Sequence, residues 1–221
     1  MPPDHLKLHI WLSPAFPVGS FAYSHGLEWA VETGDVFDAA SLTAWLVDLA
    51  DHGSIRTDTA FVNAAWLAAA ADDARALAEI DALALALAPS RERHLETSAQ
   101  GAAFLAAARA ALPCAALDRF RAGAAYPVAL GATAAGHGIP RAATCEAFAL
   151  AFVAALVSAA VRLGPIGQTA AQQVIAALVP QVQTLSEKLQ NETLDDLGAC
   201  ALRSDIAAMR HETQYSRLFR S

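Results

Sequence analysis

The chain has 221 residues, 55% of them hydrophobic, and a formal net charge of −7. That length can bury one sizeable core, and the acidic balance excludes a nucleic-acid footprint, which needs clustered Lys and Arg. Alanine dominates the apolar set while β-branched and aromatic residues are sparse, so propensity points to helix rather than sheet. The cysteines, Cys114, Cys145 and Cys200, form no C-x-x-C pair; a reducing cytosol permits this, and it gives no zinc site. Met1 to His5 lack the basic and apolar regions of a signal peptide, so a cytoplasmic location is expected.

Leu6 to Trp11 reads as a short strand or extended lead-in, followed by an irregular, proline-stiffened stretch from Ser13 to Ser20. Phe21 to Glu32 reads as a helix dense in aromatic and polar groups, stopped at Thr33-Gly34. Ser24, His25 and Glu28 invite a triad reading. Adjacent Ser and His on a helix point to different faces, however, and form no relay unaided. Asp38 caps an amphipathic helix carrying Leu42, Trp45, Leu46 and Leu49, with Gly53 as its stop. Asp58 opens the next helix through Phe61, Val62, Trp66 and Leu67, and Asp72-Asp73 caps another that ends at Pro89. Ser90 caps a helix running from Arg91 to Leu112. Its first turns mix charges of both signs, which reads as a solvated face with Arg93 offsetting Glu92 and Glu96.

Pro113 ends that helix, and Tyr126-Pro127 starts a short one closed by Gly136-His137-Gly138. Pro140 leads into the organising element, an almost unbroken apolar run from Ala147 to Val161. It is shorter than the ~20 apolar residues of a membrane span, so it reads as a buried central helix, with no membrane association expected. Arg162 closes it before the Gly164-Pro165 corner, either as a cation at the helix C-terminus or as an interaction point. Thr169 to Val179 forms a second core helix, and Pro180 begins another through Val182, Leu185 and Leu189. The end of the chain, rich in arginine and poor in large apolar residues, cannot hold itself folded and is expected to order against something else. There is no P-loop, no G-x-G-x-x-G after a strand, no H-E-x-x-H and no G-x-S-x-G. His5 and His9 have metal-compatible spacing without a third ligand nearby, and His137 reads as a turn residue. Neither a cofactor nor a metal site is expected.

Five segments together resemble the UreF family of urease accessory proteins. They are SPAFPVGSFAYSHGLEWAVETGDV from Ser13, RERHLETSAQGAAF from Arg91, YPVALGATAAGHGI from Tyr126, VSAAVRLGPIGQTAAQ from Val157 and MRHETQYSRLFRS from Met209. The resemblance implies an all-α, single-domain multi-helix bundle over 1–221, with a 1–12 lead-in and a flexible partner-binding tail at 204–221. It further implies a homodimer without enzyme activity that bridges UreD (also called UreH) and the GTPase UreG to apo-urease (UreABC) for nickel delivery, with a modulating role towards the GTPase. Glu28, Glu32, Glu92, Glu96, Arg162, Gln168, His211 and Arg217 fall at polar positions of these motifs and are candidate partner-binding residues, with Tyr23, Ser24 and Tyr215 beside them. Arg162 stands where the family pattern has lysine, which points to a need for a cation rather than for guanidinium geometry. The expected arrangement puts the Tyr23–Glu32 segment and the Arg162–Gln168 corner against the GTPase, and the tail against UreD. The rival is a helical enzyme or direct GTPase activator using Glu28 or Arg162 as acid, base or arginine finger.

Overall fold

A computed structural model describes residues 5–121, 123–198 and 200–221; the first four residues of the 1–12 lead-in lie outside them. Among the described residues there are α-helices and short 3-10 turns and no strand. In chain order the helices are α1 (His5–Trp11), α2 (Leu27–Glu32), α3 (Ala39–His52), α4 (Ser54–Ala70), α5 (Ala74–Ala86), α6 (Arg91–Ala111), α7 (Tyr126–Gly136), α8 (Arg141–Leu163), α9 (Gln168–Leu189) and α10 (Leu202–His211).

The helix starts follow the side-chain chemistry. Asp38 accepts from the Ser41 backbone N–H, and Ser41 returns the bond in a capping box. Asp73 and Ser90 cap α5 and α6 in the same way, through Ala76 and Arg93 N–H. Three expectations need correction. The lead-in from His5 is helical, because Leu8 and Trp11, one turn apart, both enter the core. Helix α4 begins at Ser54, directly after Gly53, so Asp58 lies inside its second turn rather than at its start. Helix α9 runs unbroken through Pro180, whose exposed position lets the helix lose one backbone hydrogen bond to solvent without a break.

The element buried all round is α7, in which every residue from Pro127 to Ala134 is buried. It packs on α4 at Gly131, where a Cβ would stand 2.3 Å from the Val62 carbonyl oxygen, so only glycine permits this approach. Around this pair, α1, α5 and α6 join α4 and α7 in one apolar cluster that includes Trp11, Phe61, Phe104, Leu105 and Leu130. A second cluster joins α2, α3, α8 and α9 through Leu27, Leu46, Val153 and Leu178, and takes in Phe219 from the end of the chain. Helix α8 bridges the two, with Phe148 in the first and Ala149 in the second. By length and composition it could cross a membrane, but half of its apolar window is buried inside the protein. It is therefore a wall shared by both clusters, with one face only partly buried.

Candidate functional site

The segment from Ser20 to Glu32 is not one helix. A 3-10 turn, Ser20–Ala22, gives way to extended Tyr23, and then His25 (φ 55°) and Gly26 (φ 77°) take left-handed conformations before α2 begins at Leu27. Gly26 is required twice over: its φ suits glycine, and a Cβ would meet the Ala208 backbone nitrogen of α10 at 2.5 Å. The turn therefore seats α10 directly against α2 and directs Glu28 towards the end of the chain.

That end folds back on the body. Glu28 Oε1 accepts the Leu218 N–H at 2.6 Å, and Oε2 accepts the Phe219 N–H at 2.9 Å. Buried His211 lies between two carboxylates, with Nε2 3.1 Å from Glu28 Oε2 and Nδ1 2.6 Å from Glu92 Oε2. A doubly protonated imidazolium donates to both; a neutral ring serves only one. Arg217 donates to the other oxygen of Glu92 at 2.6 Å. Gln214 donates to Glu32, and the Glu212 carboxylate accepts the Arg91 N–H at 2.7 Å. The last turns are tied by the backbone as well: Ser24 N–H donates to the Ser221 carbonyl at 2.6 Å, and Arg220 N–H to the Ala22 carbonyl at 2.8 Å. Arg162 donates to the Phe21 carbonyl at 2.5 Å and stacks its guanidinium over the Phe219 ring at 4.2 Å. The flexible tail expected from composition is thus seated. Its own apolar content is low, and the N-terminal turn supplies the missing partners.

Beneath the seated tail lies a buried charge cluster. Arg93 of α6 donates to Glu96 one turn on, and to Asp58 of α4 at 3.2 Å. Glu96 also accepts from Gln100 at 2.9 Å and from the Ser221 hydroxyl at 2.8 Å, and His25 Nε2 stands between Glu96 at 2.8 Å and Arg93 Nη1 at 3.0 Å. Burial would raise the Glu96 pKa, but Arg93 and His25, by charge and by hydrogen bond, outweigh it and hold the carboxyl at about 2. Asp58 goes the other way: burial pushes it up to about 6, helped by repulsion from Glu96 and against the pull of Arg93. Burial and the neighbouring Arg93 lower the His25 pKa, against the pull of Glu96.

The structure thus brings together most of the candidate residues, and mainly with one another. Tyr23, Ser24, Glu28, Glu96 and His211 are buried, while Glu32, Glu92, Arg162 and Arg217 are tied to the tail or to the turn beneath it. Ser24 bonds to Ser221 rather than to His25, so no triad forms. Gln168 stands apart and exposed at the first position of α9, and Tyr215 is fully exposed. The solvated face expected at the start of α6 is corrected: Arg93, Glu96, Thr97 and Gln100 are buried on the same side of the helix as Phe104. Sequence reasoning missed Arg93, Asp58 and Gln100. The signal for Arg93 and Gln100 was the spacing of 93, 96, 97, 100 and 104, which continues the apolar stripe of the later turns; Asp58 had none. Among the described residues no group of three or more His, Cys, Asp and Glu is placed to hold a metal ion. His5 and His9 meet only as an edge-on ring pair with centroids 6.4 Å apart.

Fold and site together define an all-helical protein whose C-terminal segment closes over its N-terminal turn. A family model for UreF matches residues 36–179. The chain is 54% identical over 222 residues to the urease accessory protein UreF of Methylorubrum populi, covering 99% of each chain. It is 52% identical over 229 residues to that of Methylobacterium radiotolerans, with all of both chains covered. It is 53% identical over 224 residues to that of Azorhizobium caulinodans, covering 100% of this chain and 97% of the relative. The chain belongs to the UreF family of urease accessory proteins.

Proposed function

We propose that this chain is a non-enzymatic scaffold that bridges UreD and the GTPase UreG to apo-urease for nickel insertion, working as a homodimer in the cytoplasm. The observation that carries the reading is the outer face of the seated end. Leu202, Ile206 and Met209 stand exposed on one side of α10, and Tyr215 and Leu218 continue the apolar surface along the tail. Such a surface, framed by Arg203, Arg210 and Arg217, suits a partner that offers an apolar groove with an acidic rim, and we assign it to UreD. The half-covered face of α8, where Ala147, Leu150, Ala151 and Ala154 are only partly buried, suits a second copy of the chain, since small side chains allow close helix approach. The Arg162–Gln168 corner is left for the GTPase. Arg162→Ala should weaken UreG recruitment without unfolding the body, and unchanged complex formation on a sizing column would remove that assignment.

The experiment is a pull-down of the full chain, and of a version ending at Ala208, against UreD, UreG and urease from the same source. Loss of UreD from the shortened chain, with helicity by circular dichroism retained, is the expected result. Failure of the full chain to capture any of the three overturns the proposal.

A further inference from the structure

The outer face of α10 and the tail form one surface only while the tail is seated, and the seat turns on His211. Its side chain is fully buried, and carboxylates reach it from two directions. From α2, Glu28 Oε2 stands 3.1 Å from Nε2; from α6, Glu92 Oε2 stands 2.6 Å from Nδ1. Arg217 of the tail neutralises the far oxygen of Glu92 at 2.6 Å. Other charged groups of these elements have partners elsewhere: Glu32 accepts from Gln214, Glu212 from the Arg91 N–H, and Glu96 from Arg93. Arg91, His94, Arg210 and Arg220 are exposed.

Both carboxylates are placed as ions. Each Glu28 oxygen accepts a backbone N–H, from Leu218 at 2.6 Å and from Phe219 at 2.9 Å, and the second Glu92 oxygen accepts from Arg217. A neutral imidazole has one N–H and one lone pair, so between two carboxylates it sets that lone pair against an acceptor oxygen in a site closed to solvent. A second ring proton turns both contacts into charge-assisted hydrogen bonds. The balance of charge agrees: Glu28 and Glu92 against Arg217 alone leave one negative charge over, and an imidazolium cancels it. We infer that the C-terminal segment is held by a proton latch, closed when His211 is doubly protonated and bridges Glu28 to Glu92, and loosened when the ring gives up one proton. A released tail carries the ring in water, where a histidine sheds its second proton near neutral pH. Closure therefore takes up a proton, so rising pH opens the latch. Opening parts Tyr215 and Leu218 from the α10 stripe of Leu202, Ile206 and Met209, whichever partner that surface meets.

The test is amide exchange at Leu218 and Phe219 in the full-length protein from about pH 6 to about pH 9, corrected for the intrinsic pH dependence of exchange, with ring ¹⁵N spectra of His211 from the same samples. The expected result is protection at both amides that falls by up to roughly tenfold per pH unit, the weight of one linked proton, while α7 keeps its protection. At the acid end, where the tail is seated, both ring nitrogens should carry hydrogen. His211→Gln, which cannot take up a proton, should abolish the pH dependence at the two amides. Protection in the wild type that stays constant over this range overturns the inference, and so does a ring nitrogen without hydrogen in the seated tail. A His211→Gln variant with the wild-type pH profile overturns it too, because the proton then belongs to another group, such as Asp58 or His25. The first two readings are made on the unaltered protein and stand whether or not the variant folds.

Discussion

Glu28 and His211 are separated by 183 residues of chain and meet at 3.1 Å, the imidazole Nε2 against Glu28 Oε2, while the same carboxylate accepts the backbone N–H groups of Leu218 and Phe219. One side chain of the N-terminal turn thus serves as the anchor for the opposite end of the molecule. Its environment explains why: Glu28 is 7% exposed, so its lone pairs need partners inside the protein, and the tail provides them.

Glu28→Gln keeps the shape of this anchor, removes its charge and replaces one acceptor oxygen with a donor nitrogen. The expected cost is about 2 kcal/mol of local stability, confined to the tail. Amide exchange at Leu218 and Phe219 should accelerate roughly 30-fold, with α4 and α7 unchanged. Exchange that stays slow at both amides would mean that the backbone bonds of Ser24 and Ala22 hold the tail without Glu28.

Removing one partner of the cluster under the tail should cost far more than removing both. Glu96→Ala leaves Arg93 buried and underpaired, and is expected to destabilise the fold by about 3–5 kcal/mol in denaturant titration. Arg93→Met combined with Glu96→Met should recover at least ~1 kcal/mol relative to the sum of Arg93→Met and Glu96→Met made singly, because the closest buried pair is then removed together. Strict additivity would show the two residues to be energetically independent.

The cluster also sets a pH profile. Glu96, held at about 2 against 4.5 for a free carboxyl, contributes stability that is complete above 4.5 and is lost as pH falls towards 2. Asp58 has the opposite sign. Its carboxyl, at about 6 rather than 3.8, binds its proton more tightly in the folded state, so its contribution is present below 3.8 and disappears as pH rises to 6. His25, lowered from 6.5, opposes it with a contribution that is lost as pH falls below 6.5. The difference between the wild type and Asp58→Asn isolates the aspartate. Relative to the variant, the wild type should lose stability between pH 4 and 6 and keep a constant offset above 7; a flat difference would place Asp58 in water.

Gly26 and Gly34 separate backbone strain from contact. Both have nearly the same positive φ, 77° and 78°, but a Cβ on Gly34 meets nothing within 4 Å while one on Gly26 meets α10 at 2.5 Å. Gly34→Ala should cost about 1–2 kcal/mol, the left-handed penalty alone. Gly26→Ala should cost clearly more and should also strip exchange protection from α10 and the tail. Equal losses at the two sites would contradict the close seating of α10 on this turn.

Local chemistry was legible in the sequence and long-range pairing was not. Asp38, Asp73 and Ser90 act as caps because a cap needs only residues within one turn, and Pro127 starts α7 for the same reason. Arg93 and Glu96 read as a solvated pair because mixed charges usually face water. Their burial depends on Asp58, 35 residues away, and on His25, 68 residues away, and no local pattern reports either. The tail was misread in the same manner, since its composition shows what it lacks and not that Glu28 supplies it. The family resemblance named Glu28, Glu92, Glu96, His211 and Arg217, with Glu32, Arg162 and Gln168, as candidate partner-binding residues. It could not tell that Glu28, Glu92, His211 and Arg217 pair with one another within the chain, or that Glu96 pairs with Arg93, His25 and Ser221.

The most direct test of the scaffold account is UreD capture by a Tyr215→Ser, Leu218→Ser double variant. Both side chains are exposed, Tyr215 fully and Leu218 at 63%, and the Leu218 contact to Glu28 is made through its backbone N–H, which serine retains. The account predicts that UreD binding is lost while the slow amide exchange of Phe219 and the helical content stay as in the wild type. Undiminished UreD binding by a variant whose tail remains seated would contradict it.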